Sequence, residues 1–400
     1  MADRRNTVLW ALYVPGLMWS FSLGLLIPIL PLFVLSFDVS YFWVGAVLAA
    51  QGLGTLLMDI PSGALLRRWG RRRTMLLGAG STALAVTALF WVDNLYQVFV
   101  LHLASGVGIA LWNIARHAYI TDLTKIERRG RAIAILAGIS RIGSFIGPVV
   151  GGTVAAIWGM RLPFLLFGLF TLGAVIAAAL WVAETEREER EKLQHHNILA
   201  ILAEHKQILL SAGAGLFFSQ MMRRTRHVII PLLGADILGM GVEEVGVIIS
   251  LASAIDMLMF YPAGWIMDHW GRKFAYVPCF FIQSFAMVFL PFTSGFWSLL
   301  GVSLIIGLGN GLGSGTMMTL GADLAPQNAR GEFLGIWRFI SDGGFMGSPV
   351  LVGGAADVLG LTMAPWVLAG VGVLGGSLLW RFVPETLQVT HYAEAPAGKG

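Results

Sequence analysis

Long stretches without a charged side chain dominate the hydropathy pattern of this chain. Residues 8–37 and 274–322 contain no Asp, Glu, Lys or Arg. Because a helix needs about 20 apolar residues to cross a lipid bilayer, the second stretch must hold two helices, divided near residues 291–295. The first stretch is too long for the core of a signal peptide. The pattern therefore predicts an integral membrane protein whose first apolar stretch is itself a span.

The same pattern predicts twelve spanning helices, numbered α1 to α12. They cover residues 8–37, 41–66, 74–92, 96–122, 131–158, 162–183, 208–235, 242–267, 274–292, 296–322, 332–357 and 360–382. Residues 184–207 are rich in charged side chains and are predicted to be a solvated linker. The predicted domains are thus two six-helix bundles, 1–183 and 208–383, joined by that linker and followed by a cytoplasmic tail, 384–400.

Composition and charge support a lipid environment. Of the 400 residues, 56% are hydrophobic and 12% are charged, whereas a soluble domain carries about 25% charged residues. The net charge of +4 does not indicate nucleic-acid binding, because the basic residues cluster at helix ends. Cys279 is the single cysteine, which excludes a disulfide within the chain, and it belongs to no metal-ligand motif.

Basic side chains in the loops predict the orientation. The loops after the even-numbered helices hold nearly all loop Lys and Arg residues, and the loops after the odd-numbered helices hold only Arg161. Because basic loops remain on the cytoplasmic side, we expect both termini in the cytoplasm and a location in the inner (plasma) membrane.

A constant offset of 201 residues relates the two halves. Matching positions at this offset are Pro61 and Pro262, Gly63 and Gly264, Asp122 and Asp323, Gly130 and Gly331, and Pro148 and Pro349. One offset maintained across four helices predicts two bundles with the same orientation in the membrane, which is the parallel repeat of rocking transporters.

Residues 264–273 (GWIMDHWGRK) resemble the α2–α3 loop signature of the major facilitator superfamily. Residues 63–73 are the first-half counterpart, with Arg67 where the signature has Asp. The resemblance covers nearly the whole chain. It implies the major facilitator fold, an all-α integral membrane architecture with twelve transmembrane helices in two six-helix parallel pseudo-repeats. It also implies a cytoplasmic gate, formed by Gly63, Arg67, Gly70, Arg71, Asp122, Arg131, Gly264, Asp268, Gly271, Arg272, Asp323 and Glu332.

Within this gate, the resemblance implies two related contacts. We expect Asp268 to meet Arg131 at the start of α5, and Arg67 to meet Glu332 at the start of α11. Acid and base are exchanged between the two pairs, so that attraction is kept with reversed polarity. The negative charge of Glu332 also suits a helix N-terminus. The alternative is that Arg67 merely extends a basic, topology-setting loop.

A second signature lies on α5 and resembles that of the family's exporters, especially its drug:proton antiporters. It runs over residues 143–152 (GSFIGPVVGG), and its key positions are Gly143, Gly147, Pro148, Gly151 and Gly152. Proline frees a backbone carbonyl and bends a helix, while glycines at a spacing of four allow close helix packing. The signature favours export over import, although ordinary small-residue packing would also use such glycines.

In this family, α1, α4, α7 and α10 line a central cavity. Polar residues fall on one face of α4 and on one face of α7 at helical spacing. The predicted substrate cavity consists of Trp19, His102, Asn113, Arg116, Gln220, Arg223, Arg224 and His227. His102 stands where the family's α4 motif has arginine, so no proton role is carried over to this position. Bases outnumber acids in this set, which favours an anionic or zwitterionic substrate.

Ionisable side chains inside predicted spans are costly and usually functional. The coupling set is Asp59, Arg141, Asp256, Arg338 and Asp342. Matching depths predict an ion pair between Arg141 and Asp256 and another between Asp59 and Arg338. Asp256 is the preferred proton-coupling residue, because it lies near mid-depth on α8. For each of these charges, a static ion pair is the alternative interpretation.

The sequence therefore predicts a secondary active transporter, which we expect to be a monomer whose partners are the lipid bilayer, a small-molecule substrate and protons. Its main interpretation is a proton-coupled exporter of small amphipathic organic molecules that works by alternating access. The alternative is an importer or exchanger of organic anions that uses cavity arginines as carboxylate ligands. The sequence contains no ATP-binding motif, so we expect no cofactor and an ion gradient as the driving force. A receptor lacks support because no soluble signalling domain is present, and an enzyme because no nucleophile or metal motif appears.

Overall fold

The computed structural model of the protein describes residues 9–124, 126–184, 198–326 and 329–387. Helices occupy all twelve predicted positions in this part of the chain, and a short helix, Ile198–Glu204, precedes α7. Their bounds are α1 Leu9–Leu35, α2 Tyr41–Trp69, α3 Arg71–Trp91, α4 Leu95–Leu123, α5 Ile126–Trp158, α6 Leu162–Trp181, α7 Lys206–Leu232, α8 Val242–His269, α9 Lys273–Phe292, α10 Phe296–Leu324, α11 Arg330–Leu359 and α12 Ala364–Phe382.

Ten of these helices are long and apolar enough to cross a membrane by length and composition, counted over the described residues. The other two, α7 and α11, are 27 and 30 residues long but carry several ionisable side chains each. Those side chains lie mainly between the two halves, as described below, where protein rather than lipid surrounds them. The predicted all-α membrane fold is therefore confirmed, while α7 and α11 remain spans by prediction.

The helices pack as two related bundles. In the first half, α2 and α3 pack on α4, and α1 packs on α5; in the second half, α8 and α9 pack on α10, and α7 packs on α11. Two interfaces of the same kind join the halves, α2 with α11 and α5 with α8. The offset of 201 residues thus describes a structural repeat, and the space between the halves lies among α1, α2, α4, α7 and α11.

Glycines bring the halves together at one end of the molecule. An added Cβ would collide with backbone atoms of Pro349 at Gly45, of Tyr41 at Gly353, and of Pro148 at Gly246. Only glycine permits such close helix contacts. The Tyr41 hydroxyl also donates a hydrogen bond to the Asp236 carboxylate across the same seam. The end that holds the starts of α2 and α8 is therefore closed.

The halves are apart at the other end, which holds the loops after α2, α4, α8 and α10 and is called the basic end here. Gly138 and Gly335 lie one turn before Arg141 and Arg338, on the same helix faces. Gly264 lies one turn after Phe260 on α8. None of these three glycines has an atom within 4 Å of an added Cβ. The structure is therefore closed at the end opposite the basic loops and open at the basic end.

Candidate functional site

A cavity of about 350 Å³ lies between the two halves. Apolar side chains of α1, among them Leu26, Ile27 and Leu30, form one wall. The polar wall comes from five helices and consists of Gln51, Thr55, His102, Asn113, Ser144, Arg224, His227, Arg338 and Asp342. A site with both an apolar wall and a charged wall suits an amphipathic organic molecule.

Four of the eight predicted cavity residues line this cavity, namely His102, Asn113, Arg224 and His227. The other four lie beside it. Trp19 is buried in the first half and stacks on Trp112, with ring centroids 4.9 Å apart. Arg116 donates from Nη2 to Asn113 Oδ1 at 3.3 Å. Gln220 donates to the Ser341 hydroxyl at 2.6 Å and so links α7 to α11.

Arg223, the fourth of these residues, shows why the sequence prediction for α7 was too broad. Successive residues on a helix point about 100° apart, so Arg223 and Arg224 cannot face the same space. Arg224 and His227 face the cavity, whereas Arg223 and Arg226 interact with the Asp256 carboxylate on the neighbouring helix. The predicted polar face of α7 is thus two faces with different surroundings.

Several donors around the cavity have no acceptor among the described residues. Both ring nitrogens of His102 are buried without a hydrogen-bond partner, as are Nε of Arg224 and both Nε and Nη1 of Arg116. The Arg224 guanidinium lies 4.5 Å above the ring of Phe345, which is a cation–π contact. Buried donors normally have partners, so these groups are available to a bound molecule.

Asp256 lies at the centre of a saturated network. Its Oδ1 accepts hydrogen bonds from Arg141 at 2.9 Å and from Ser314 at 3.4 Å. Its Oδ2 accepts from Arg226 at 2.9 Å and from Asn310 at 2.6 Å. The contact with Arg141 is the predicted inter-half ion pair and is confirmed, whereas its coupling role stays a prediction.

Sequence reasoning missed Arg226, Asn310 and Ser314 in this network. The helices are interrupted beside it, α8 at Met259 and α10 between Leu312 and Thr316. Such interruptions are tolerated at membrane depth where they line a polar site. The available signal in the sequence is the run of alternating glycines around Asn310, residues 307–313.

A second charged cluster joins α2 to α11. Arg338 Nη2 lies 3.5 Å from Asp59 Oδ1, and Arg338 Nε lies 3.5 Å from Asp342 Oδ2. The predicted Asp59–Arg338 contact is thus confirmed. Asp342 adds a second carboxylate to the same guanidinium, which the sequence suggested only through its position one turn after Arg338.

At the basic end, the two gate signatures form equivalent ion pairs. Arg71 contacts Asp122 at 2.9 Å, and Arg272 contacts Asp323 at 3.2 Å. Asp268 contacts Arg272 at 2.9 Å. The Arg131 side chain lies outside the described part of the chain, so its predicted pairing with Asp268 stays a prediction.

Two further gate residues keep their predicted status. Arg67 and Glu332 are both within the described residues and both have interactions, but their pairing with each other remains a prediction. Gly63 and Gly264 lie at the separated seam, with Gly264 in open space. The gate assignment as a whole is therefore an expectation about the opposite conformation.

A glutamate lies against each of the two turns at Gly70 and Gly271, called the gate turns here. The sequence analysis missed both glutamates. Glu385 accepts hydrogen bonds from the backbone N–H groups of Arg272 at 2.8 Å and Lys273 at 2.9 Å, at the start of α9. Glu184 touches Gly70 at the start of α3, just as Glu385 touches Gly271. Both glycines have positive φ, 83° and 119°, which side chains disfavour. The offset of 201 relates the two glutamates and was the signal that could have revealed them.

Hydrogen bonding also sets the acidity of the second glutamate. Partial burial alone would raise the pKa of Glu385, but the N–H groups of Leu387, Lys273 and Arg272 donate to its carboxylate, and the net effect lowers this pKa. The N-terminus of α9 adds a favourable environment for negative charge. Glu385 is therefore an anionic cap on the gate turn.

The α5 signature packs as its glycines predict. An added Cβ would collide with α1 at Gly143, Gly147 and Gly151, and with α8 at Gly152. The carbonyl of Pro148 lies against Gly246 of α8. The signature thus forms both the core of the first half and part of the closed seam. Its link to export stays a prediction. No group of three or more His, Cys, Asp or Glu residues in the described part of the chain could hold a metal ion.

Comparison with known proteins agrees with this architecture. The family model of the Major Facilitator Superfamily matches residues 16–222 and 212–399. The chain is 25% identical over 359 residues to the multidrug resistance protein MdtH of Klebsiella pneumoniae, with 84% of this chain and 83% of that protein covered. It is 25% identical over 297 residues to the class B tetracycline resistance protein of Escherichia coli, with 71% and 73% covered.

The fold is also similar to that of solved transporters. The crystal structure of a D-xylose–proton symporter superposes with a TM-score of 0.74 at 17% identity, and the match covers 95% of this chain and 98% of the symporter. The family match over both halves and the transporter relatives indicate a transport protein rather than an enzyme. This chain belongs to the major facilitator superfamily of membrane transporters.

Proposed function

We propose that the protein is a proton-coupled exporter of small amphipathic organic molecules. It would act as a monomer in the plasma membrane, with the basic end and both termini in the cytoplasm. The Lys and Arg distribution supports this orientation. In that orientation, the structure corresponds to an inward-open state, from which an exporter takes up its substrate.

The cavity is the observation that carries this proposal. It lies between halves whose backbones come into close contact at one end, and its walls combine aliphatic side chains with Arg224, His227 and Asp342. A molecule with an apolar body and a polar end would fill both walls. The named resistance functions of the multidrug and tetracycline relatives, together with the α5 signature, favour efflux of such molecules.

An importer or exchanger of organic anions is the second candidate. The unpartnered donors of Arg116, Arg224 and His102 favour it, since a carboxylate would satisfy them. In this interpretation, the anion binds on the charged wall, and its gradient or a counter-ion drives transport. The two candidates differ in what moves with the substrate and in the charge that the site prefers.

Purified protein in liposomes with an imposed pH gradient tests the proposal. The probes are ethidium, tetracycline and an anionic naphthalene sulfonate dye, each followed by fluorescence, with the internal pH recorded in parallel. Proton-coupled export predicts that a probe moves against the proton flux and that adding it releases protons from the loaded side. Transport of the anionic dye alone, unaffected by collapse of the pH gradient, would support the anion exchanger instead.

A further inference from the structure

The α2–α11 cluster has more negative than positive charge. Asp59 lies on the first half, and Arg338 and Asp342 lie on the second, so the cluster spans the seam between the halves. One guanidinium faces two carboxylates, each at 3.5 Å. If both carboxylates are ionised, one negative charge stays uncompensated between two carboxylates that are only 15% and 25% exposed, and like charges at such a site disfavour double ionisation.

The hydrogen bonding of the cluster is also incomplete. Oδ2 of Asp59 is buried and has no hydrogen-bond partner among the described residues, and the buried Oδ2 of Asp342 has only the 3.5 Å ion-pair contact with Arg338 Nε, which is too poorly placed for a hydrogen bond. The Asp342 carboxyl lies within hydrogen-bonding reach of Asp59. Two ionised carboxylates so close to each other repel, and neither can donate a hydrogen bond to the other. A single proton would supply the missing hydrogen bond and remove the excess charge.

The surroundings of Asp256 are the opposite. Both of its oxygens accept two hydrogen bonds, and two arginines, Arg141 and Arg226, contact it directly. A proton on this carboxyl would displace an existing donor and leave two buried cations facing a neutral group. Asp256 is therefore built to stay ionised, although the sequence made it the first choice for coupling.

Within the described residues, no third carboxylate from a neighbouring helix acts on the α2–α11 cluster. From α4, His117 interacts electrostatically with Arg338 and with its own neighbour Arg116. From α7, Arg224 covers Phe345, one turn beyond Asp342 on α11. Arg338 and Asp342 line the cavity, which opens toward the basic end, so water can deliver and remove the proton.

We propose that Asp59 and Asp342 share one exchangeable proton beside Arg338, and that this pair is the proton site of the transporter. The assignment deepens the proton coupling proposed above and rests on it. The pair lies along the α2–α11 interface, between a closely packed part, where Gly52 lies against Met346, and a separated part at Gly335. When the proton is bound, the two carboxyls form a hydrogen bond between α2 and α11. When it is lost, repulsion between the two carboxylates favours separation of α2 from α11.

Infrared difference spectroscopy during an acid–base titration of the protein in nanodiscs tests the site without any substrate. The wild-type protein should show the carbonyl band of one protonated carboxylic acid, which disappears on alkalinisation. Asp59→Asn and Asp342→Asn should each lose this band, because the remaining carboxylate then pairs one-to-one with Arg338. Asp256→Asn is the matched control and its folded fraction should keep the band; Asp256→Glu, which retains the charge between Arg141 and Arg226, should keep it as well. If an Asn variant does not fold, the corresponding Asp→Glu variant should shift the band instead.

Two results would overturn the assignment: a band that persists in both Asn variants, or one that is lost only in Asp256→Asn. The liposome experiment with ethidium and tetracycline distinguishes failure of the wider proposal. If the band behaves as predicted but probe movement is independent of the pH gradient, the proton site stands and proton-coupled transport is wrong. If transport is proton-coupled and its pH dependence disappears in Asp256→Asn alone, the site is wrong and the coupling stands.

Discussion

Replacement of Asp256 by asparagine should be among the most destabilising conservative changes in this protein. Asparagine keeps the shape of the side chain but removes the charge that Arg141 and Arg226 share. The Asp256 and Arg226 side chains are each 9% exposed, and that of Arg141 is 19% exposed. The substitution therefore leaves two largely buried guanidinium groups without an anion.

The expected magnitude follows from this burial. Removal of one partner from a buried ion pair costs about 3–5 kcal/mol, because the other charge stays desolvated. An exposed ion pair contributes roughly 0–1 kcal/mol. The chain offers a matched control in Arg161–Asp93, which has a similar distance of 3.0 Å but side chains that are 46% and 83% exposed. Asp256→Asn should thus lower the free energy of unfolding several times more than Asp93→Asn.

Unfolding in mixed micelles with increasing sodium dodecyl sulfate, followed by tryptophan fluorescence, measures both variants. A double-mutant cycle with Arg141→Gln isolates the inter-half contact. We expect the second substitution to cost much less in the Asp256→Asn background than alone. Equal destabilisation by Asp256→Asn and Asp93→Asn, or strictly additive effects in the cycle, would refute the buried network.

Three further predictions concern the cavity and the basic end. Arg224→Ala and Arg116→Ala should express normally but bind an anionic dye more weakly, measured by fluorescence titration; unchanged affinity would make both arginines structural. Arg67→Glu and Glu332→Arg should each favour the inward-open state by cytoplasmic cysteine labelling, and the double variant should restore the balance; additive effects would contradict this. The Glu385 carboxylate should stabilise the turn at Gly271 fully above the usual carboxyl pKa, and this stabilisation should disappear as the pH falls through the lowered pKa of Glu385. The protection of the Arg272 and Lys273 amides from hydrogen exchange should therefore be lost only at acidic pH. In Glu385→Gln, this protection should be low at every pH.

The sequence predicts the architecture well because two simple regularities determine how membrane helices are arranged. Apolar length gives the spans, and the offset of 201 residues gives the repeat. Together they place Arg141 opposite Asp256 and Asp59 opposite Arg338, because depth in the membrane can be counted along a helix. Both contacts join residues at equal depth, and this depth follows from the number of residues because the rise per residue in a helix is constant.

The sequence alone does not predict how each helix is rotated about its axis or where a helix is interrupted. Arg223 and Arg224 were grouped by periodicity, yet a rotation of α7 assigns them to different sites. Asn310 reaches Asp256 beside the interruption of α10 near Gly315, where φ is 77°. Such a break depends on packing against neighbouring helices, and a pattern of hydrophobic residues carries no information about it.

The central claim is that two rigid halves alternate between opposite openings and that protonation drives the change. Paired spin labels measure this directly in a Cys279→Ser background. One pair, Arg68→Cys with His269→Cys, reports on the basic end, and another, Tyr96→Cys with Trp297→Cys, reports on the opposite end; all four positions are exposed. On lowering the pH in nanodiscs, we predict that the first distance shortens while the second lengthens. Distances that do not change, or that change in the same direction at both ends, would contradict alternating access driven by protonation.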